Sequence, residues 1–218
     1  MGALHGRVVV LDPGHDGGNG AAPAAIGRPV PDGRGGTKAC DTAGASTDDG
    51  YPEHAFTWDV ALRAAALLRA RGADVVLTRR DDRGIGPCVD RRAAIGNAVH
   101  ADAVVSLHAD GGPPAGRGFH VILPVSGPQV RSSHHLALAL RAAFGRDTDT
   151  RVADYTAGGD GLDGRDDLAG LALSQVPKVF LECANMRDAA DAQLLRNPAW
   201  RQRAALGVAD GITVALRR

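Results

Sequence analysis

Three side chains that could carry acid–base or metal chemistry each stand at the end of a predicted strand. His15 follows the apolar run 8–11 across a Pro-Gly turn, His108 ends a second apolar run, and Glu182 ends a third. Ligands and catalytic groups collect at the carboxyl ends of parallel strands in open α/β sheets. If the three strands are parallel neighbours, two imidazoles and a carboxylate converge on one rim of the sheet.

Two histidines and a carboxylate are common ligands of catalytic zinc, which keeps a fourth position for water. Two carboxylates compete for the roles of ligand and base. Glu182 is predicted on a buried strand, where a carboxylate is costly unless it is paired, hydrogen-bonded or near a metal; Arg91 or Lys178 could pair with it. Glu53 heads the helix that returns to the same rim, yet the helix dipole alone also favours a glutamate there. The residues by themselves leave both assignments open.

Strands that alternate with helices predict an α/β fold with a parallel sheet. We expect a single-domain, three-layer fold in which a mostly parallel, twisted sheet of about six strands is flanked by helices, with the site at the carboxyl ends of the strands. The predicted strands include 8–11, 74–79, 104–108, 118–123 and 179–182, and the predicted helices are 53–71, 88–99, 129–144, 188–195 and 198–216.

The chain has 218 residues, of which 44% are hydrophobic, so one domain with a full core is expected over 1–218. Residues 16–50 are rich in Gly and Pro and predict a long loop. The formal net charge is zero, which gives no electrostatic reason to expect nucleic acid or an anionic membrane as a partner. No apolar run reaches the length of a membrane span, so membrane insertion is not expected, and we expect a monomer.

The three cysteines cannot all pair within one chain. Cys183 follows Glu182 on a strand and is expected to be buried on the opposite face. Cys40 and Cys88 both lie in loop-like stretches, where a disulfide and two free thiols are equally compatible with the sequence. In the chain-entropy model such a disulfide would contribute about 4 kcal/mol, and it would indicate an oxidising compartment.

Short motifs occur in a defined order along nearly the whole chain. They are Asp-Pro-Gly-His at 12–15, a glutamate at the head of the next helix, Ser-Leu-His-Ala-Asp at 106–110 and Val-Pro-Lys-Val-Phe-Leu-Glu at 176–182. Together they resemble the zinc-dependent N-acetylmuramoyl-L-alanine amidase family, as does the stretch 91–97 that leads to the second histidine. The Asn-Met-Arg sequence at 185–187 resembles actinobacterial and mycobacterial members.

The resemblance implies that His15, Glu53 and His108 hold Zn²⁺ and that Glu182 is the catalytic base. The implied reaction is hydrolysis of the amide between N-acetylmuramic acid and L-alanine in peptidoglycan stem peptides, as in cell-wall remodelling. Two alternatives are a non-catalytic peptidoglycan-binding or regulatory protein of the same fold and a zinc hydrolase that acts on another amide. All the implied ligands and the base are present, which favours the enzyme.

Several further expectations depend on the family resemblance. Peptidoglycan lies outside the cytoplasmic membrane, so export to the periplasm or cell-wall space is expected. The segment before the first predicted strand, residues 1–6, is too short and too polar to be a signal peptide. No separate cell-wall-binding domain is expected. Asp16 and Asp110 depart from the family pattern and are expected to place negative charge near the site. Asp12 could orient a histidine but is interpreted as a turn cap, and Ser106 as a packing residue or a partner of His108.

Overall fold

The computed structural model describes residues 2–156 and 158–217. The strands are β1 (Val8–Pro13), β2 (Pro29–Pro31), β3 (Thr37–Ala39), β4 (Asp74–Leu77), β5 (Ala103–Asp110), β6 (His120–Pro124), β7 (Leu162–Arg165) and β8 (Lys178–Asn185). The helices are α1 (Pro23–Gly27), α2 (Glu53–Ala70), α3 (Val89–Ala98), α4 (Val130–Thr148), α5 (Ala169–Ala172), α6 (Ala189–Arg196) and α7 (Pro198–Leu216), and a short 3-10 turn spans Asn19–Ala21. Within these ranges no helix is both long and apolar enough to cross a bilayer.

The central sheet has six strands in the order β4-β1-β5-β8-β6-β7. β1 pairs in parallel with β4 and β5, and β5 pairs in parallel with β8. β6 runs antiparallel to β8 and parallel to β7. The predicted α/β class and the mostly parallel sheet of about six strands are confirmed, and β1, β5 and β8 are the parallel neighbours that a convergent site requires.

The period of two along each strand separates an apolar face from a site face. On β5, Val105 and Leu107 pack into the main core with residues of α2, α4 and α7. Val104 belongs to a second cluster on the opposite face with Ile95 of α3. Ser106 and His108 share the face of Val104 because they follow it at intervals of two, and the polar residues of the site are therefore collected on one side of the sheet.

Helix α2 forms because its apolar residues recur at helical spacing. Phe56, Val60, Ala64 and Leu68 are fully buried and face the sheet as one stripe. Burial of a large aliphatic or aromatic side chain contributes roughly 1.5–3 kcal/mol, so this stripe fixes how the helix lies on the sheet. The consequence for the site is that the first residue of α2, Glu53, is held at the carboxyl end of β1.

Two segments contain short regular elements that are not among the predicted ones. Residues 16–50, predicted as a long loop, include α1 and the antiparallel β2–β3 hairpin, and β7 lies outside the predicted strands. Neither shows a sequence period, because each β2 and β3 strand has only three residues and β2 begins and ends with proline. The Leu-Asp-Gly-Arg sequence of β7 has no β-branched residue, and its pairing with β6 makes it a strand.

A disulfide joins Cys40 to Cys88 across a sequence separation of 48 residues. It links the segment after β3 to the residue before α3. Replacing both cysteines by serine is expected to lower the free energy of unfolding by about 2–4 kcal/mol, because the unfolded chain regains the freedom of a long loop. Urea denaturation without reductant measures the loss. Cys183→Ala, at the buried free cysteine, is the control that keeps the disulfide; an unchanged unfolding curve for the double serine variant would contradict the prediction.

Candidate metal centre

The turn after β1 carries His15 over the end of the sheet. His15 has a φ of 59°, a left-handed conformation that is uncommon for a residue with a side chain. Gly14 precedes it, and a Cβ at that position would lie 2.3 Å from Cε1 of His108. Only glycine therefore allows the turn to approach His108 this closely. The Pro-Gly-His sequence is what brings the two imidazoles to one place.

His15, Glu53 and His108 present donor atoms that all lie within 4.8 Å of one another. Nε2 of His15 is 3.2 Å from Oε2 of Glu53, and Nδ1 of His108 is 2.9 Å from Oε1 of the same carboxylate. The two imidazole rings are almost perpendicular, with centroids 5.1 Å apart. The structure thus brings together the three residues that the sequence resemblance implies as metal ligands.

Glu53 is held in place by its own hydrogen bonds. It is buried, and its carboxylate accepts hydrogen bonds from the backbone N–H groups of Ala45 at 2.7 Å and Ala109 at 3.1 Å. Burial raises the pKa of Glu53, but the attraction of His15 and His108 outweighs burial and the pKa is lowered. Burial likewise opposes protonation of His15, yet Glu53 and Asp41 raise its pKa to about 10. An anionic carboxylate between two imidazoles is the result.

The arrangement suits a zinc ion in its donors and in its space. Two imidazoles and one carboxylate are donors that zinc prefers, and three protein ligands leave a position for water. Gly44 lies against the donors with a φ of 83°; a Cβ there would be 2.8 Å from Cδ2 of His15 and 3.0 Å from Oε2 of Glu53. The glycine keeps the approach to the donors open.

Glu182 lies beside these donors with one oxygen that lacks a partner. The register pairs Glu182 of β8 with His108 of β5 on one side and with His120 of β6 on the other. Its Oε2 is buried and has no hydrogen-bond partner among the described residues. Burial, together with the nearby charges of Glu53 and Asp110, raises the pKa of Glu182 well above its ordinary value. This carboxyl group is poised to bind and exchange a proton.

The proposed pairing of Glu182 with Arg91 or Lys178 is wrong. Lys178 is buried and its Nζ lies 3.1 Å from Oδ2 of Asp12, while Arg91 is exposed. The position of Lys178 on β8 explains why it pairs with Asp12. Lys178 lies four residues before Glu182 on the same face of the strand, which is too far for the two side chains to meet.

A shallow cleft opens over the donors and Glu182. Its other lining residues are Thr42, Gly44, Ala45, Ala109, Asp110 and Gly111. Of the two aspartates expected near the site, Asp110 lines this cleft. Asp16 does not: it is buried, accepts a hydrogen bond from the N–H of Gly17, and lies 3.9 Å from Arg79. Of the two departures from the family pattern, only Asp110 therefore borders the cleft.

Comparison with known proteins decides the family. The model of the N-acetylmuramoyl-L-alanine amidase family matches residues 9–214. The chain belongs to this amidase family. A curated relative, the N-acetylmuramoyl-L-alanine amidase Rv3717 of Mycobacterium tuberculosis, is 47% identical over 212 residues, which are 96% of this chain and 86% of the relative. The sequence-based resemblance, including its actinobacterial element, is confirmed.

Two solved structures of amidases show the same fold. The crystal structure of the N-acetylmuramyl-L-alanine amidase Ami1 from Mycobacterium smegmatis is 45% identical, with a TM-score of 0.93 and coverage of 98% of both chains. The apo form of Ami1 from Mycobacterium abscessus is also 45% identical, with a TM-score of 0.91, and the match covers 98% of this chain and 100% of that chain. The agreement extends over the whole described sheet.

Asp12 has a different role in this amidase from the turn cap expected from the sequence. It lies inside β1 opposite Ser106 in the register, and it is buried. Its carboxylate accepts hydrogen bonds from Thr78 at 2.7 Å, Arg92 at 2.9 Å, Ser106 at 2.9 Å and Lys178 at 3.1 Å. Burial raises the pKa of Asp12, but the two cations outweigh burial and the pKa is strongly lowered. Asp12 is the anionic centre of a buried network beneath the amidase site.

Three residues near the donors were not predicted as part of the site. Asp41 lies 3.1 Å from Nδ1 of His15, and Arg92 contacts Asp41. Arg92 falls in the stretch 91–97 that resembles the family, which is the signal that could have found it; Asp41 lies in a loop without any period. His120 is buried beside Glu182 in the register. His134 and His135 are exposed on α4.

Proposed function

We propose that this chain is a zinc-dependent N-acetylmuramoyl-L-alanine amidase that cleaves the amide between N-acetylmuramic acid and the L-alanine of peptidoglycan stem peptides. The observation that carries the proposal is the convergence of donor atoms from His15, Glu53 and His108 beside the unpartnered carboxyl oxygen of Glu182 in one open cleft. Membership of the amidase family supports the bond that is cleaved.

Each residue has a defined part in the hydrolysis. Zinc held by the three donors would supply Lewis-acid polarisation of the amide carbonyl and would acidify a water molecule. Glu182 would accept a proton from the attacking water at Oε2 and deliver it to the nitrogen of the leaving amine. The raised pKa of Glu182 makes its carboxylate a stronger acceptor of the proton from water, and the protonated form is then the acid for the leaving amine.

We also propose that the enzyme works outside the cytoplasmic membrane as one catalytic domain over residues 1–218. Its substrate class lies in the cell wall, and the disulfide between Cys40 and Cys88 suits an oxidising compartment. Within this domain, the muramyl-peptide would be recognised by the cleft and by the loops that border it.

The test is release of peptide from a soluble muramyl-peptide. It is measured on the purified protein, after removal of metal by a chelator, and after zinc is restored. We expect cleavage at the lactyl–alanine amide that is lost on chelation and recovered with zinc. Zinc-loaded protein that binds the muramyl-peptide without cleaving it would show a binding protein instead. Failure to bind or cleave despite one equivalent of zinc would show that the substrate class is wrong.

A further inference from the structure

One guanidinium group lies behind both histidines of the metal centre. Arg92 of α3 is 4% exposed, and all of its N–H donors have partners. One terminal nitrogen donates to Asp12 at 2.9 Å and to the carbonyl of Pro13 at 2.8 Å. The other donates to Asp41 at 3.2 Å and to the carbonyl of His15 at 3.0 Å, and Nε donates to the carbonyl of Pro87 at 2.8 Å. This arginine joins the partners of the two imidazoles.

The partner of His15 determines which of its nitrogens carries hydrogen when metal is bound. Nδ1 of His15 lies 3.1 Å from Oδ1 of Asp41 and 3.1 Å from the carbonyl oxygen of Thr42. Both are acceptors, so Nδ1 donates. Nε2, the nitrogen that faces Glu53, would then be the one that offers its lone pair to a bound metal.

In His108 the other ring nitrogen, Nε2, carries the hydrogen, and its partner is the hydroxyl of Ser106. The carboxylate of Asp12 only accepts hydrogen bonds, so the hydroxyl of Ser106, 2.9 Å away, donates to it. The Ser106 oxygen is therefore free to accept from Nε2 of His108 at 3.2 Å. Nε2 carries the hydrogen, so Nδ1, which faces Glu53, would be the nitrogen that offers its lone pair to a bound metal. Asp12 and Asp41 thus select opposite tautomers in the two rings.

We propose that Arg92 is a positioning residue that sets both histidine ligands at once, through Asp41 to His15 and through Asp12 and Ser106 to His108. The inference rests on the proposed metal-binding role of the two histidines. A lysine cannot replace Arg92, because an ammonium is a point charge with three donors and cannot span two carboxylates and three carbonyl groups in one plane. Arg92 also binds the carbonyls on both sides of Gly14, so it fixes the turn that carries His15.

The test compares Arg92→Lys with a matched control, Arg79→Lys. Arg79 is also 4% exposed and also donates to the carbonyl of Pro13, but its carboxylate partners are Asp82 and Asp16. The dissociation constant of zinc is measured by competition with a chromophoric chelator. We expect Arg92→Lys to weaken zinc binding by about 10–100-fold, the usual effect of losing an outer partner of a metal-ligating histidine, and Arg79→Lys to leave it unchanged.

A second readout reports the rings directly. In ¹⁵N spectra of the zinc-loaded protein we expect slowly exchanging Nδ1–H and Nε2–H signals from His15 and His108, both lost in Arg92→Lys. If that variant does not fold, Ser106→Ala carries the test: it should weaken zinc binding and remove only the His108 signal, whereas Ser133→Ala, at a buried serine bonded to the N–H of Lys178, should change neither.

Each result bears on either the positioning role or the function. If Arg92→Lys binds zinc as tightly as the wild type, or if both arginine variants lose zinc affinity equally, the positioning role is overturned. The proposed function would still stand as long as the wild-type enzyme cleaves the muramyl-peptide. Zinc binding that depends on Arg92 in a protein that cleaves no muramyl-peptide would support the positioning role and overturn the function. A wild-type protein that does not bind zinc would overturn both.

Discussion

Glu182→Gln is expected to reduce kcat for muramyl-peptide cleavage by about 10³-fold, within the range that a general acid–base residue contributes. Glutamine keeps the shape of the side chain but cannot take a proton from water. Its Oε2 has no partner among the described residues, and burial together with Glu53 and Asp110 disfavours the charged form. Glutamine is neutral without taking up a proton, so the variant avoids the cost of either a buried charge or protonation, and we expect thermal stability to be equal to or higher than that of the wild type.

The combination of lost activity and retained stability is what distinguishes a catalytic carboxylate from a structural one. Zinc affinity should stay near the wild-type value, because the three donors of the metal centre are intact. Asp110→Asn is the matched control: it removes a second carboxylate from the same cleft but leaves Glu182 in place, and it should retain most of the activity. A Glu182→Gln variant that cleaves the substrate at the wild-type rate would exclude Glu182 as the base.

Much of the fold follows from patterns that are visible in the sequence. Helix α2 was predictable because its buried stripe repeats at helical spacing. The strands β5 and β8 were predictable because each contains a short, mostly apolar run that leads to a polar residue, His108 or Glu182. The convergence of His108 and Glu182 then follows from parallel pairing alone, since they are direct neighbours in the register. Local pattern and sheet topology together are sufficient for these parts of the site.

The remainder depends on contacts that have no local pattern. Asp12 stands next to a Pro-Gly turn and looks like a cap, but its Cα lies opposite Ser106 inside the sheet, so its carboxylate points into a buried cluster. Asp41 comes from a loop and follows Cys40, whose disulfide to Cys88 joins that loop to the start of α3. Interactions across such distances along the chain are set by tertiary packing.

Different elements of the fold position different groups of the site. The sheet places His108 and Glu182 side by side, and helix α2 presents Glu53 between the imidazoles. The loop and α3 supply the charges that hold the far sides of the rings, through Asp41 and Arg92. Oε2 of Glu182 has no such hydrogen-bond partner among the described residues. The three metal donors are therefore held in place, whereas the group that exchanges a proton is left free to do so.

Glu53→Gln is expected to weaken zinc binding by more than the roughly 100-fold that marks the upper end for an outer partner, and to abolish cleavage with it. The variant loses the only anionic donor of the set. It also loses one of the two acceptors that Ala45 and Ala109 bind through their N–H groups, because an amide has a single oxygen.

The control for this prediction is the next residue of the same helix turn. His54 pairs with Asp82 at 2.8 Å and does not line the cleft, so His54→Gln tests whether any change in the first turn of α2 disturbs the site. Zinc affinity from chelator competition should fall in Glu53→Gln and stay near the wild-type value in His54→Gln. Zinc bound equally well by both variants would mean that the metal centre does not use Glu53, and the helix dipole would then be a sufficient reason for a glutamate at the start of α2.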